Sequence, residues 1–493
     1  MTRALAVMFL LASVAVPLKS HQLPDSPVPS PSQSAVPEPD NSASHAYDAQ
    51  LQNQQTQDTG QPAQTNPAAQ ANQETTANPG QTTMYPPGYK LAIQEAESIA
   101  LRNNPQITVG RLQALQAHQY ARETRSALMP LVNLNLTAVD ADPGSRLAAG
   151  YLTNGRMYSR AAGGVAVSQL ITDFGRTTNL VSSSQYQAKE ADENAVATKQ
   201  DIILAVDQSF YNCLETQALQ QVAEETVKAR QLFEDQIQEL TNAKLKSEVD
   251  LAFAKVDLAR AQLLLLDAQD NYQASLSTLS AILGFSDRQE FAPQEPSVAV
   301  TPPAQDAGPL IQQALDLRPE VRSLRNAVTS SEKFARSEHD LWWPTVNALG
   351  VLGGAPARDP NITSWYGAVG VNVNIPVFNG FLFNARIKSA DLATQAQQKR
   401  LQDLQNNVAR DVRNSWLQSQ DAYKRLSVTD QLRQQAQLAL ELAQARYKLG
   451  LASIVEFTQA EMQKTDADIQ DTDAHYRYIV SQIELAYQMG LTR

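Results

Sequence analysis

Between Arg176 and Leu283 the chain has no glycine and no proline, and the same holds from Phe381 to Leu449. A stretch free of both breakers can stay helical throughout, and at about 1.5 Å per residue the second run alone reaches on the order of 100 Å. Helices of that length without internal stops are coiled-coil material rather than globular core. The residues inside the runs agree. Leu251, Leu258, Leu265, Tyr272 and Leu279 recur every seven positions, and beside them runs a stripe of small residues, Ala254, Ala261, Ala268 and Ser275. The stripe reappears as Ala460, Ala467, Ala474 and Ser481. Seven-residue spacing keeps one seam facing its neighbour, and small residues let the helices approach closely. Alanine's helix propensity would explain one such stripe but not its return in register.

That return is part of a duplication. Leu101 and Pro105 fall on Leu315 and Pro319 at an offset of 214, and the same offset carries Met129–Asn133 onto Trp343–Asn347. The offset then becomes 206, with Val167 on Val373, Ile171 on Val377 and Asp173 on Asn379. It holds without a gap from Ser247–Gly284 onto Ser453–Gly490. A tandem repeat is expected, 89–284 and 310–493, joined by a Pro-rich linker near 285–309. Each half reads helix, strand, loop, strand, long helix, tip, helix.

The strands are expected at 131–139 and 160–172, and at about 345–353 and 366–378. Val132, Leu134, Leu136 and Ala138 alternate with Asn133, Asn135 and Thr137, and Val371 and Val373 alternate with Asn372 and Asn374. Tyr151, Tyr158, Trp342, Trp343, Trp365 and Tyr366 flank these segments. Strands of nine to thirteen residues, one edge apolar and one polar, with aromatic residues at their ends, fit a transmembrane barrel. A soluble antiparallel sheet packed on a core has the same alternation. If the strands do cross a bilayer, four per chain cannot close a barrel, and open edges are not tolerated in lipid, so the chain must oligomerise.

The N-terminus places the chain outside the cytoplasm. Arg3 precedes an apolar run from Ala4 to Val16, the layout of a secretory signal peptide, with cleavage after Ala15 or Ser20. Residues 21–88 are rich in Pro, Gln, Ser, Asn, Thr and Ala, and a segment so poor in large apolar groups is expected to be a disordered tail. Cys213 is the only cysteine, so disulfides within the chain and cysteine metal clusters are excluded; among Phe210, Tyr211 and Leu214 it reads as a packed thiol. A net charge of −11 with dispersed Lys and Arg argues against nucleic acid as a partner.

Catalysis finds no support: the five histidines lack metal-ligand spacing, and no P-loop, dinucleotide fingerprint or nucleophile elbow is present. No cofactor and no metal are expected. At the turn between long and short helix, Ser247-Glu-Val-Asp250 and Ser453-Ile-Val-Glu456 each have the form of a capping box.

With "RYKLGLASIVEFTQAE" (Arg446–Glu461), "ITDFGRT" (Ile171–Thr177), "IPVFNG" (Ile375–Gly380), the prolines Pro105 and Pro319 and the helix ends at Gly284 and Gly490, the chain resembles the TolC family of outer-membrane efflux channels. The resemblance covers essentially all of 89–493. It implies a homotrimer whose twelve-stranded barrel in outer-membrane lipid continues into a long periplasmic helical barrel. The implied function is a passive exit duct, the outer-membrane component of a tripartite efflux pump or type I secretion system, serving drugs, metals or secreted proteins. Its implied partners are a periplasmic adaptor and an inner-membrane pump. Asn133, Asn135, Asn372 and Asn374 would face the lumen. The resemblance places Asp250, Glu456 and Gln459 at the periplasmic aperture, and Ser247, Tyr447, Gly450 and Ser453 at the tip that meets the adaptor. Two departures stand out: Ala452 replaces a basic linker residue, and Gln459 a second acid. The alternative is a secreted periplasmic coiled-coil adaptor or scaffold, which would lack the duplicated amphipathic hairpins.

Overall fold

The computed structural model describes residues 85–140, 146–149, 152–156, 160–296, 300–354 and 363–491. The expected signal peptide, the tail as far as residue 84, and Tyr151 and Tyr158 lie outside them.

In chain order the elements are β1 (Tyr89–Leu91), α1 (Ile93–Asn103), α2 (Pro105–Ser126), β2 (Leu131–Val139), β3 (Arg146–Ala149), β4 (Leu152–Arg156), β5 (Arg160–Thr172), α3 (Arg176–Asn242) and α4 (Glu248–Ile282). The second half holds β6 (Phe291–Pro293), α5 (Gly308–Leu317), α6 (Pro319–His339), β7 (Thr345–Gly354), β8 (Trp365–Asn374), α7 (Leu382–Lys448) and α8 (Ile454–Gln488). Both long helices have 67 residues and both short ones 35, each starting and ending 206 positions apart in the two halves. Proline opens α2 and α6 at their first turn, where a missing N–H costs nothing.

The small-residue stripes lie inside the hairpins. Ala254, Ala261, Ala268 and Ser275 on α4, and Ala460, Ala467, Ala474 and Ser481 on α8, are all buried. α3 packs along α4 and α7 along α8, while α3 also meets α8 and so joins the two halves. A mixed apolar core binds α1, α3, the C-terminal part of α4, β6 and α8 through Ile99, Val206, Phe210, Leu279, Phe291 and Tyr478. Cys213 is fully buried in it, with its thiol pushed up to about 11 by burial.

Glycine closes both short helices in the left-handed region, Gly284 at φ +89° and Gly490 at φ +73°. Each end abuts the break between the first two helices of its own half. Asn104 donates through Nδ2 to the Ile282 carbonyl at 2.9 Å, and Arg318 reaches Gln488 Oε1 at 2.7 Å.

β2, β5, β7 and β8 form one antiparallel sheet in that order, with a bulge at Leu170/Thr172, and β3 and β4 pair as a separate hairpin. Three details differ from the expectations from sequence. β8 stops at Asn374 rather than 378, because Pro376 has no N–H to give the ladder. The 285–309 segment is more than a linker: β6 pairs in parallel with β1, and the segment lies against the helices through Tyr478 Oη to the Thr301 carbonyl and Trp416 Nε1 to the Ala304 carbonyl at 2.8 Å. Tyr85, inside the expected tail, is packed, with its ring against Tyr89, Phe285 and Phe291. The expected tip before Ser247 is present at residues 243–247, where Lys244 adopts φ +59° at the position Gly450 fills, at φ +72°, in the second half.

Each strand-to-helix junction needs two consecutive left-handed residues. The first half supplies Phe174 and Gly175, the second Gly380 and Phe381. Each half thus places one bulky side chain where the backbone disfavours it, at a cost of order 1–2 kcal/mol.

Candidate functional site

Register sorts the sheet into two faces, since residues directly opposite share a face. Asn133 lies opposite Ala166, Asn135 opposite Gly164, Asn372 opposite Asn347 and Asn374 opposite Thr345. Followed through the β5–β7 pairing, all four expected asparagines fall on one face, together with Ser168, Thr137 and Asn347. The other face carries Val132, Leu134, Leu136, Val165, Val167, Leu352, Val369, Val371 and Val373. In the single chain these apolar groups are bare: Leu136 is 78% and Val369 92% exposed. An apolar sheet face of that extent is unstable against water and suits lipid.

The aromatics divide. Trp365 belongs to the apolar face, whereas Tyr366, expected beside it at a membrane interface, is on the asparagine face. Its ring lies over Gly353 and its hydroxyl over Gly164; a Cβ on Gly353 would come within 2.5 Å of the ring. Successive strand residues point oppositely, so a neighbouring pair could not both have faced lipid. Trp342 packs edge-on against Phe383 at 5.4 Å, and Trp343 stacks on Phe174 at 5.5 Å, both where strands become helices. Exposed Phe174, Phe378 and Phe381 extend this belt. Nothing local in the sequence marks them, since Phe174 and Phe381 sit in the left-handed junctions beyond the strand ends.

At the other end of the long helices, the two hairpin tips differ chemically. Ser247 accepts from the Asp250 N–H at 3.1 Å, and Asp250 Oδ2 accepts from the Ser247 N–H at 3.4 Å, a closed capping box. Ser453 accepts from the Glu456 N–H at 3.2 Å, but the Glu456 carboxylate does not return to the cap; it lies 3.5 Å from Arg446. Gln459 is exposed one turn further along α8. Glu456 and Gln459 therefore share an open face, with Asp250 on the neighbouring hairpin.

Behind that face lies an apolar cluster of Ile237, Ala254, Tyr447, Ile454 and Phe457, with Phe233, Leu251 and Ala452 against it. Ala452 is thus an apolar contact where the resemblance implies a basic group. Lys246 Nζ sits 3.9 Å above the Tyr447 ring, a cation–π contact. The Tyr447 hydroxyl is buried without a hydrogen-bond partner among the described residues. Burial, and then the charge of Asp250, push its phenol up to about 12.

Among the described residues no helix is long and apolar enough to cross a membrane, and no group of three or more His, Cys, Asp or Glu is placed to hold a metal.

Comparison with known proteins gives a consistent answer. The chain is 25% identical over 428 residues to the outer membrane protein TolC of Vibrio cholerae serotype O1, covering 81% of this chain and 90% of that protein. Its fold superposes on CusC with a TM-score of 0.72 at 19% identity, over 87% of this chain and 99% of the other. It superposes on the Campylobacter jejuni outer membrane channel CmeC with a TM-score of 0.71 at 16% identity, over 87% and 94%. The family model for outer membrane efflux proteins matches residues 97–285 and 310–491, one segment per structural repeat. The chain belongs to the outer membrane efflux protein family, the family of TolC: it is an outer-membrane efflux channel with its helical part in the periplasm.

Proposed function

We propose that three copies of this chain close their four-stranded sheets into a twelve-stranded barrel, asparagine face inward and valine face to lipid. The observation that carries this reading is the sheet itself. One face is apolar and exposed, and β2 and β8 are left as unpaired edges. Backbone N–H and C=O groups left open in hydrocarbon cost several kcal/mol each, so only neighbouring copies can make such a sheet tolerable in a bilayer. The 67-residue helices continue the duct into the periplasm for about 100 Å. A coiled-coil scaffold needs no such sheet.

The tips form the periplasmic mouth. Asp250 and Glu456 from three copies place six carboxylates around it, a ring that attracts cations and whose mutual repulsion favours widening when the opposing contacts weaken. With Gln459 and Ala452 in place of charged groups, and Tyr447 untied within the chain, this mouth is less charged and less firmly latched than its relatives'. Ser247, Gly450 and Ser453, exposed at the two turns, are where a periplasmic adaptor would dock and connect the duct to an inner-membrane pump. The channel supplies no energy; the partner does.

Planar-bilayer recording of the purified channel tests the mouth. Asp250→Asn with Glu456→Gln should lower the preference for cations over anions toward unity. Unchanged selectivity in the double variant would remove these carboxylates from the conduction path.

A further inference from the structure

The helix ends nearest the sheet carry cations that nothing within the chain uses. Arg122 and Arg125 lie in the last two turns of α2, Arg336 in the last turn of α6 and Lys388 in the second turn of α7. All four are exposed, and none makes an ion pair among the described residues. The carboxylates of the same turns are mostly taken. Glu338 pairs with Arg386, Asp391 with His339, and Asp340 accepts from Asn179 at 2.8 Å. Only Glu123 stays open among the described residues, in a chain whose net charge is −11.

Helix polarity explains only part of this. A C-terminus attracts cations, which suits Arg125 and Arg336. By the same rule the starts of α3 and α7 favour anions, yet neither has an acid in its first turn, and Arg176, Arg386 and Lys388 stand within their first two turns. α4 and α8 start at the far end of the duct and do follow the rule, with Glu248 and Asp250 on one and Glu456 on the other. Charge therefore follows position along the duct. At about 1.5 Å per residue, the four free cations lie within about 10 Å of the strand-to-helix junctions. There Phe174, Trp343 and Phe381 form the aromatic belt that marks the edge of the hydrocarbon. The headgroup layer beyond that edge is about 5–8 Å thick. The side of the helices is also set. Arg325 donates to the Leu315 carbonyl of α5 at 3.1 Å, and Arg336 stands three turns further along the same side of α6. α5 belongs to a second layer laid on the long helices, which in an open duct sits outside. Arg122 is the equivalent of Arg336 at the offset of 214.

We propose that Arg122, Arg125, Arg336 and Lys388 of the three copies form a collar that binds the phosphates of anionic phospholipids in the periplasmic leaflet of the outer membrane. This rests on the barrel proposed above. The collar continues the lipid-facing surface from the valine face and the aromatic belt into the headgroups, and its charge is the complement of theirs. Each Lys or Arg held at an anionic surface tightens binding roughly fivefold. The sheet fixes which part of the chain is in hydrocarbon; the collar fixes the depth at which the duct leaves it.

The full chain, purified in an uncharged detergent and titrated with phosphatidylglycerol or with phosphatidylcholine, tests it by native mass spectrometry, which counts both copies and bound lipids. Three-copy particles should bind phosphatidylglycerol about fivefold or more tighter than phosphatidylcholine. Arg122→Gln, Arg125→Gln, Arg336→Gln and Lys388→Gln combined should bring that preference below about twofold. Arg122→Lys, Arg125→Lys and Arg336→Lys, which keep the charge, should retain it. So should a control that removes four exposed cations far from the sheet, Lys228→Gln, Arg413→Gln, Lys424→Gln and Lys448→Gln. Equal affinity for the two lipids in the parent overturns the collar, as does a preference that survives the four collar changes or falls equally in the control. Single chains that take up neither lipid refute the barrel, and the collar with it; three copies without a preference refute the collar alone.

Discussion

Replacing Gly284 by alanine should damage the fold more than either comparable glycine change, and the structure sets the order in advance. Gly284 ends α4 at φ +89°, where an L side chain costs about 1–2 kcal/mol. A Cβ there would stand 2.7 Å from the Asn103 carbonyl oxygen and 2.8 Å from its carbon. Those are backbone atoms, so no rotamer relieves the clash and the α1–α2 junction must move. The hydrogen bond from Asn104 to Ile282 goes with it, worth about 1 kcal/mol more, for a total of roughly 2–3 kcal/mol. At Gly490, φ +73°, the added carbon would lie 3.1 Å from Arg318 N and the Leu317 carbonyl carbon, a conflict relieved by a small shift, and about 1–2 kcal/mol is expected. Gly450, φ +72°, has nothing within 4 Å, so only the backbone cost of about 1 kcal/mol remains. Lys244 already tolerates that conformation at the equivalent turn. Urea unfolding of the detergent-solubilised protein, followed by helical circular dichroism, should rank the midpoints Gly450→Ala, then Gly490→Ala, then Gly284→Ala, all below the parent. A Gly284→Ala protein unfolding with the parent, or Gly450→Ala falling furthest, would refute the reasoning that helix ends dock on the preceding junction.

Burial, followed by the neighbouring carboxylate of Glu97, raises Asp207 on α3 from 3.8 to about 7, so the folded state keeps a proton that the unfolded chain releases; stability should fall as pH rises through that window and level off above it, and unfolding midpoints at several pH values should show a smaller fall in Asp207→Asn. Ala467, 1% exposed in the α8 stripe, should not accept leucine: overpacking costs about 1–3 kcal/mol, whereas leucine at exposed Gln470 should leave the midpoint unmoved. Tyr366→Ala uncovers Gly353 and Gly164 and should loosen the sheet, seen as faster amide exchange in β7, while Trp365→Ala should leave exchange at those glycines unchanged.

The duplication and the long helices were legible because both rest on local signals, the absence of breakers and a seven-residue stripe that recurs at a fixed offset. The polar face of the sheet was legible for the same reason: alternation is a property of adjacent residues, and the register then gathers Asn133, Asn135, Asn372 and Asn374 on one side. What escaped has no local mark. The tip before Ser247 was expected, but no glycine announces the left-handed residue it needs, a position that Lys244 takes. The pairing of Tyr89–Leu91 with Phe291–Pro293 joins segments some two hundred residues apart. Arg230 and Glu461 looked like two more charges on polar helices, and only the meeting of α3 with α8 reveals them as a buried pair. Glu456 satisfied the capping pattern in sequence, yet Arg446 one turn before the tip draws its carboxylate away.

The proposal that identical sheets complete one another in lipid is tested most directly by native mass measurement on protein extracted from outer membranes. Three copies per particle, stable in detergent, is the predicted result. A folded single chain recovered from the periplasm without detergent would contradict it.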